Sequence, residues 1–218
     1  MAKIAPSILS ADFSHLGEDV KRVVSAGADL LHIDIMDGSF VPNISIGPLV
    51  VKSLRPITEI PFDVHLMISD PDKYIPEFVS AGADIITVHA ETGHHLHRTI
   101  SLIKSQEKQA GLAINPATPL NIIEPVLPDL NLILIMTVNP GFGGQKFITS
   151  MLDKIRSARK LINEGGFDIQ LEVDGGINRE NVAEVVEAGA DIYVAGNAAF
   201  KGEGTIEENI KTLKELSG

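Results

Sequence analysis

Three short apolar runs carry ionisable residues at alternate positions. In Leu31-His32-Ile33-Asp34-Ile35-Met36 the extended backbone places Leu31, Ile33 and Ile35 on one face and His32, Asp34 and Met36 on the other. The run Phe62 to Met67 repeats the pattern, with Phe62, Val64 and Leu66 opposing Asp63, His65 and Met67. In the run from Ile169, the residues Ile169, Leu171 and Val173 oppose Gln170, Glu172 and Asp174. If the aliphatic faces meet covering helices, His32, Asp34, His65 and Asp174 point inward and converge near the carboxyl ends of their strands. A lone strand histidine is ordinarily a hydrogen-bonded core residue. Four such groups at matching strand ends favour a site, because unpaired carboxylates are costly in a partly desolvated pocket. Two carboxylates with two imidazoles also make a mixed nitrogen and oxygen ligand set for a divalent cation. Glu172 fits a structural partner below Asp174. His89 and Glu91 close another strand and could line the rim without an assigned chemistry. His94, His95 and His97 crowd one short stretch, which reads as the solvated start of a surface helix rather than a metal tract.

Glycine clusters form a second constellation. Asn139-Pro-Gly-Phe-Gly-Gly144, Asp174-Gly-Gly176 and Ala195-Gly-Asn197 each follow an apolar run. Glycine lets backbone N–H groups approach a ligand closely, and N–H groups at helix starts bind phosphate without a basic side chain. Three such clusters on consecutive strand ends point to a phosphorylated ligand, held by a local field opposite in sign to the net charge.

The elements that must position these groups follow from a repeat. Ala-Gly-Ala-Asp recurs at residues 26–29, 81–84 and 188–191, each time before a short apolar run. Each copy reads as a helix end, a glycine in the left-handed C′ position, and a strand. Their separations suit two and four units of roughly 27 residues, the helix–strand alternation that builds a parallel sheet. Strands are expected at 4–9, 30–36, 62–67, 85–89, 112–115, 132–137, 169–173 and 192–195. Helices are expected at stretches including 14–26, 151–163 and 178–188, the last capped by Asn178. No linker or low-complexity tract divides the chain, so residues 1–218 read as one (β/α)8 barrel, whose active sites lie at the carboxyl ends of the strands. An open doubly wound sheet is the main competitor; it would usually show a glycine-rich fingerprint after the first strand, and Pro6-Ser7-Ile8-Leu9-Ser10 has none.

Composition narrows the partners. The 218 residues carry 18 Lys+Arg against 29 Asp+Glu, a formal charge of −11. That balance, with no basic run beyond two residues, argues against nucleic acid. No apolar run approaches the length of a membrane span. The N-terminal residues lack the apolar stretch of a signal peptide, and the absence of cysteine fits a reducing compartment, so a cytoplasmic location is expected. Lacking cysteine, the chain can form neither a disulfide framework nor a thiolate nucleophile.

Longer motifs carry a family resemblance. Ser7-Ile-Leu-Ser-Ala-Asp-Phe13, Leu31 to Gly38, Phe40-Val-Pro-Asn43, Asp63 to Met67, Asn139 to Phe147, Glu172 to Ile177 and Val194-Ala-Gly196 resemble ribulose-phosphate 3-epimerases, in order, from about residue 3 to 217. The resemblance implies a single TIM barrel that interconverts D-ribulose 5-phosphate and D-xylulose 5-phosphate in the pentose phosphate pathway. It implies that His32, Asp34, His65 and Asp174 ligate one divalent metal ion, with Asp34 as proton acceptor and Asp174 as proton donor. Ser7 and His65 would contact the substrate, while Gly141, Phe142, Gly143, Gly144, Gly175, Gly176, Gly196 and Asn197 would hold its phosphate end. Met36, Met67 and Met136 match methionines that wall the reacting carbons. Asn197 stands where the family usually has serine, and Ser39 where a larger polar residue is common. Family members are commonly oligomers, so a homo-oligomer is expected.

Inverting C3 of a 2-ketose needs a base on one side and an acid on the other, since a single base tends to return the proton to the face it left. A divalent cation, drawn from Zn²⁺, Fe²⁺, Mn²⁺ or Co²⁺, would stabilise the enediolate as a Lewis acid. The same motifs suit an allulose 6-phosphate 3-epimerase. A Schiff-base aldolase or a barrel decarboxylase would want a lysine at a strand's carboxyl end, and none of the eight runs ends in one. A non-catalytic phosphosugar-binding protein would have no use for two opposed carboxylates.

Overall fold

The computed structural model describes residues 2–93 and 95–218. Eight parallel strands, β1 (Lys3–Pro6), β2 (Leu31–Met36), β3 (Phe62–Met67), β4 (Ile85–His89), β5 (Gln109–Ile114), β6 (Leu132–Met136), β7 (Gln170–Asp174) and β8 (Ile192–Ala195), pair in the order β1-β8-β7-β6-β5-β4-β3-β2. A parallel bridge between Ser7 and His32 brings the two outer strands together, so the sheet curls into a (β/α)8 TIM barrel. The helices between strands are α1 (Leu16–Ser25), α2 (Pro48–Leu54), α3 (Ile75–Ala81), α4 (Leu96–Ser105), α5 (Met151–Gly165) and α6 (Val182–Glu187), with α7 (Asn197–Phe200) and α8 (Ile206–Leu216) closing the chain. Between β5 and β6 the crossover is made of 3₁₀ turns at Leu120–Ile122 and Glu124–Asp129, where Pro125 and Pro128 bar a regular helix.

Alternation sorts the two faces as expected. Leu31, Ile33, Ile35, Val64, Leu66, Leu171 and Val173 join the core shared with helix residues such as Val20, Val51, Ile155 and Ile162. A smaller inner cluster of Ala5, Ile85, Ala113, Leu132, Leu134, Met136, Ile192 and Val194 fills the lumen. The repeat has a structural reason beyond its turn. Gly27, Gly82 and Gly189 all take positive φ, and the aspartate two residues later caps the start of a neighbouring strand. Asp29 accepts the Ile4 N–H, Asp84 that of Phe62 and Asp191 that of Leu171. Each carboxylate also meets a cation, Lys214, Arg55 and Arg159 in turn.

The element ends differ from expectation at several points. The first strand stops at Pro6, because Ser7 turns the chain into a 3₁₀ helix at Ile8–Ser10 and its Oγ accepts the Leu9 N–H. The fifth strand begins earlier, at Gln109, and the seventh runs one residue further, to Asp174. The helix expected from residue 14 starts at Leu16. Asn178 does not cap α6: its Oδ1 accepts the Glu180 N–H in a tight turn, and the helix begins at Val182 behind Asn181. His94 lies outside the described residues, while His95 and His97 are exposed as expected.

Candidate active site

Strand register brings the inward residues of the first constellation together. Asp34 pairs with His65 and His32 with Asp63 across β2 and β3, while Met136 pairs with Asp174 across β6 and β7. β2 and β7 are separated by β1 and β8, so Asp34 and Asp174 reach inward from different walls. Ligand atoms of His32, Asp34, His65 and Asp174 all lie within 4.8 Å of one another. His32 Nε2 is 3.3 Å from Asp34 Oδ1 and 4.0 Å from Asp174 Oδ2. His65 Nδ1 is 3.3 Å and 3.9 Å from the same two oxygens. Ser7 Oγ donates to Asp34 Oδ2 at 2.5 Å.

These residues fit a divalent cation on their own geometry. His32 is fully buried, yet its Nε2 makes no hydrogen bond among the described residues. Such an orphaned buried nitrogen is costly unless a partner stands in front of it. Its other nitrogen, Nδ1, lies 2.6 Å from Asp63 Oδ2, the carboxylate–imidazole pairing that orients metal-ligating histidines. Thr87 Oγ1 in turn donates to Asp63 Oδ1 at 3.0 Å. The donor set, two imidazoles and two carboxylates, suits the mixed-ligand divalent ions.

Charge is divided unevenly across the cluster. Burial pushes the Asp34 carboxyl up, but the facing His32 charge outweighs it and holds the group well below the usual carboxylate range. Burial, and then the Asp34 charge, push Asp174 up to about 7. Deeper in the lumen, burial and the Asp63 carboxylate push Glu172 up to about 8, so the two inner acids of β7 retain protons that Asp34 has lost. His32 is raised well above its ordinary value because the charges of Asp34 and Asp63 overcome its burial. His65, with burial dominating, drops to about 4. The cluster therefore attracts positive charge and keeps one carboxylate ionised beside a carboxyl group that holds its proton more readily.

A cavity of about 330 Å³ opens above these residues, a size suited to a small metabolite. Ser7, Asp34, Asp174 and the methionines Met36, Met67 and Met136 form its inner wall. Gly141, Phe142, Gly143, Gly144, Gly175, Gly176, Gly196 and Asn197 line its far end. His32 and His65 stand behind this surface, fully buried. Gly176 shows why glycine is needed there: its φ is +70°, and a side chain would press on the backbone N of Phe147 and lie 2.8 Å from the Gln145 carbonyl. Asn197 is held by Ser10, whose Oγ donates to Asn197 Oδ1 at 2.9 Å, and its Nδ2 is turned toward Gly144.

Sequence reasoning passed over several residues that the structure brings to the site. Ser10, Asn178 and Lys201 line the far end of the cavity. Asp63 was legible as inward-facing, but not as the partner of His32. His89 lies with its Nε2 2.8 Å from His65 Nε2, and Glu91 accepts from its far side.

Comparison with known proteins places this geometry among relatives. The profile of the ribulose-phosphate 3 epimerase family matches residues 3–200. The chain is 59% identical over 219 residues to the ribulose-phosphate 3-epimerase of Bacillus subtilis, covering 100% of this chain and 99% of that protein. It is 54% identical over 213 residues to the chloroplastic ribulose-5-phosphate-3-epimerase of Arabidopsis thaliana, covering 97% and 75%. The 3-keto-L-gulonate-6-phosphate decarboxylase structure from Vibrio cholerae superposes with a TM-score of 0.73 at 17% identity, covering 100% of this chain and 98% of that one, a likeness of fold.

Proposed function

The chain belongs to the ribulose-phosphate 3-epimerase family of isomerases, and from that premise we propose that it interconverts D-ribulose 5-phosphate and D-xylulose 5-phosphate with Asp34 and Asp174 as the proton-transferring pair. The observation that carries this reading is the pair itself: two carboxyl groups from different barrel walls face one cavity, one held ionised and the other pushed up to about 7. Residues 1–218 act together as one catalytic domain.

Asp34, kept ionised, takes the proton from C3, and Asp174, which holds a proton, returns one to the opposite face; the roles exchange in the reverse direction. Ser7, bonded to Asp34 Oδ2, orients that carboxylate and meets the substrate beside it. Met36, Met67 and Met136 wall the reacting carbons with apolar, polarisable surface that excludes water. Backbone N–H groups at Gly141–Gly144, Gly175-Gly176 and Gly196, with the Asn197 amide, take the phosphate. His32, Asp34, His65 and Asp174 hold one divalent cation, of the Zn²⁺, Fe²⁺, Mn²⁺ or Co²⁺ type. When bound, the cation supplies Lewis-acid stabilisation of the negative charge that develops on the substrate oxygens.

Turnover in deuterium oxide tests the proton transfer. The reading requires solvent deuterium at C3 of the product, and product free of deuterium excludes it. Exhaustive chelation followed by elemental analysis tests the cation: activity should vanish and return with added divalent metal. An active, demonstrably metal-free protein would contradict that part.

A further inference from the structure

Behind His65 runs a chain of side chains that the chemistry above does not use. His65 Nε2 lies 2.8 Å from His89 Nε2, and His89 Nδ1 lies 3.1 Å from Glu91 Oε2. His65 and His89 are buried, and Phe40 packs on the His89 ring with centroids 4.7 Å apart. Glu91 is fixed at its other oxygen, where Oε1 accepts the Asn115 N–H at 2.8 Å and the Thr118 hydroxyl. The turn carrying those donors is itself clamped, because Lys154 Nζ from α5 donates to the carbonyls of Asn115 and Pro116 at 2.8 and 3.1 Å.

We propose that Glu91 and His89 are positioning residues that set the tautomer of His65, so that its Nδ1 lone pair faces Asp34 and Asp174. The logic runs inward from the rim. A carboxylate that already accepts from two donors offers a third only another acceptor site, so His89 must present Nδ1–H to it. A neutral imidazole protonated at Nδ1 has a bare Nε2. That bare nitrogen accepts from His65 Nε2–H. It competes for the single ring proton with the Asp34 carboxylate, 3.3 Å from His65 Nδ1. Once a cation neutralises Asp34, it leaves Nδ1 unprotonated and aimed into the cluster. His32 is backed by a shorter route, through direct contact of its Nδ1 with Asp63. Both imidazoles of the site are thus backed by a carboxylate, one directly and one through a second imidazole.

This proposal rests on the cation-holding reading, and its test separates the two. Zinc affinity, measured by chelator competition, should fall about 10- to 100-fold in His89→Leu, the usual loss when a partner behind a metal ligand is removed. His89→Gln can accept from His65 and donate to Glu91, so it should bind zinc within about threefold of the parent. Equal zinc affinity in His89→Leu and the parent, or no rescue by His89→Gln, overturns the proposal. Ring ¹⁵N shifts of the parent protein, with and without zinc, give the second readout. With zinc bound they should show His65 protonated at Nε2 and His89 at Nδ1, and a protonated His65 Nδ1 in the zinc-loaded protein overturns the assignment even if His89→Leu fails to fold. Should the parent take up no zinc, the cation site falls and the relay with it, whereas zinc binding with His65 protonated at Nδ1 overturns the relay alone.

Discussion

At the inner end of the cavity the groups of the proposed chemistry are mainly side chains on strands: Asp34 and His32 on β2 and His65 on β3, all buried, and Asp174 on β7, partly exposed. At the far end the working atoms belong mostly to backbone, on the turns after β6, β7 and β8. The difference follows from what the proposed reaction asks each end to hold. A concentrated positive charge needs carboxylates and imidazoles in a dry place, and there each group must be fixed by a neighbour, as Asp63 fixes His32 and Ser7 fixes Asp34. A phosphate can be held by N–H dipoles in contact with water, which demand glycine conformations rather than charged side chains. The inner end should therefore break sharply on single substitutions, and the far end gradually.

The largest effect is expected at the inner end. In the proposed mechanism Asp34→Asn and Asp174→Asn each remove a proton-transfer group and a cation ligand together, so kcat should fall about 10⁴-fold in either variant. A steady-state assay coupled to xylulose 5-phosphate consumption measures this. Near-normal turnover in either would erase the contrast between the two ends.

At the far end, Gly176→Ala forces a side chain into a positive-φ position against the Phe147 and Gln145 backbone. The loss should appear mainly as a rise in KM of about 10- to 100-fold, the size expected for roughly 1–3 kcal/mol of backbone strain. A matching fall in kcat with unchanged KM would show that the loop serves the chemistry rather than the phosphate.

Much of the inner end was legible because period-two alternation assigns each strand residue to a face, and His32, Asp34, His65 and Asp174 all fall on the inner one. Alternation says nothing of depth or of stagger between strands. The pairing of His65 with Thr87 carries His89 two residues further along β4, a diagonal that no single strand's pattern reveals. Asp63 was visible as inward-facing, but its contact with His32 depends on the register of β2 against β3. At the far end, Ser10, Asn178 and Lys201 come from turns, whose paths are set by local hydrogen bonds such as that from Glu180 N–H to Asn178. The same local competition displaced the expected helix cap.

A smaller effect concerns stability at the inner end. Glu172 has a folded-state pKa of about 8 against an ordinary 4.5, so its protonated form is the one the fold favours. That preference costs nothing below the ordinary value, and stability is lost progressively as pH rises through the folded-state value. Glu172→Gln removes the titration. In metal-free protein its melting temperature relative to the parent should climb by a few degrees between about pH 5 and about pH 8. A difference that stays flat with pH would show that Glu172 is ionised in the fold.

The smallest effect tests how tolerant the far end is. Asn197 occupies the position where serine was expected, and Ser10 donates to its Oδ1, which leaves Nδ2 turned toward Gly144. An amide reaches further than a hydroxyl, so it needs a second group to fix which end faces the ligand. Ser10→Ala should then raise KM about three- to tenfold in the parent, the worth of one hydrogen bond, with kcat unchanged. In an Asn197→Ser background the same substitution should have almost no effect, because a serine hydroxyl rotates to suit and needs no orienting donor. The coupling is read from a double-mutant cycle on KM and on inhibition by inorganic phosphate. If Ser10→Ala costs the same in both backgrounds, Ser10 touches the phosphate directly, and the far end has a side-chain contact of its own beside its backbone cradle.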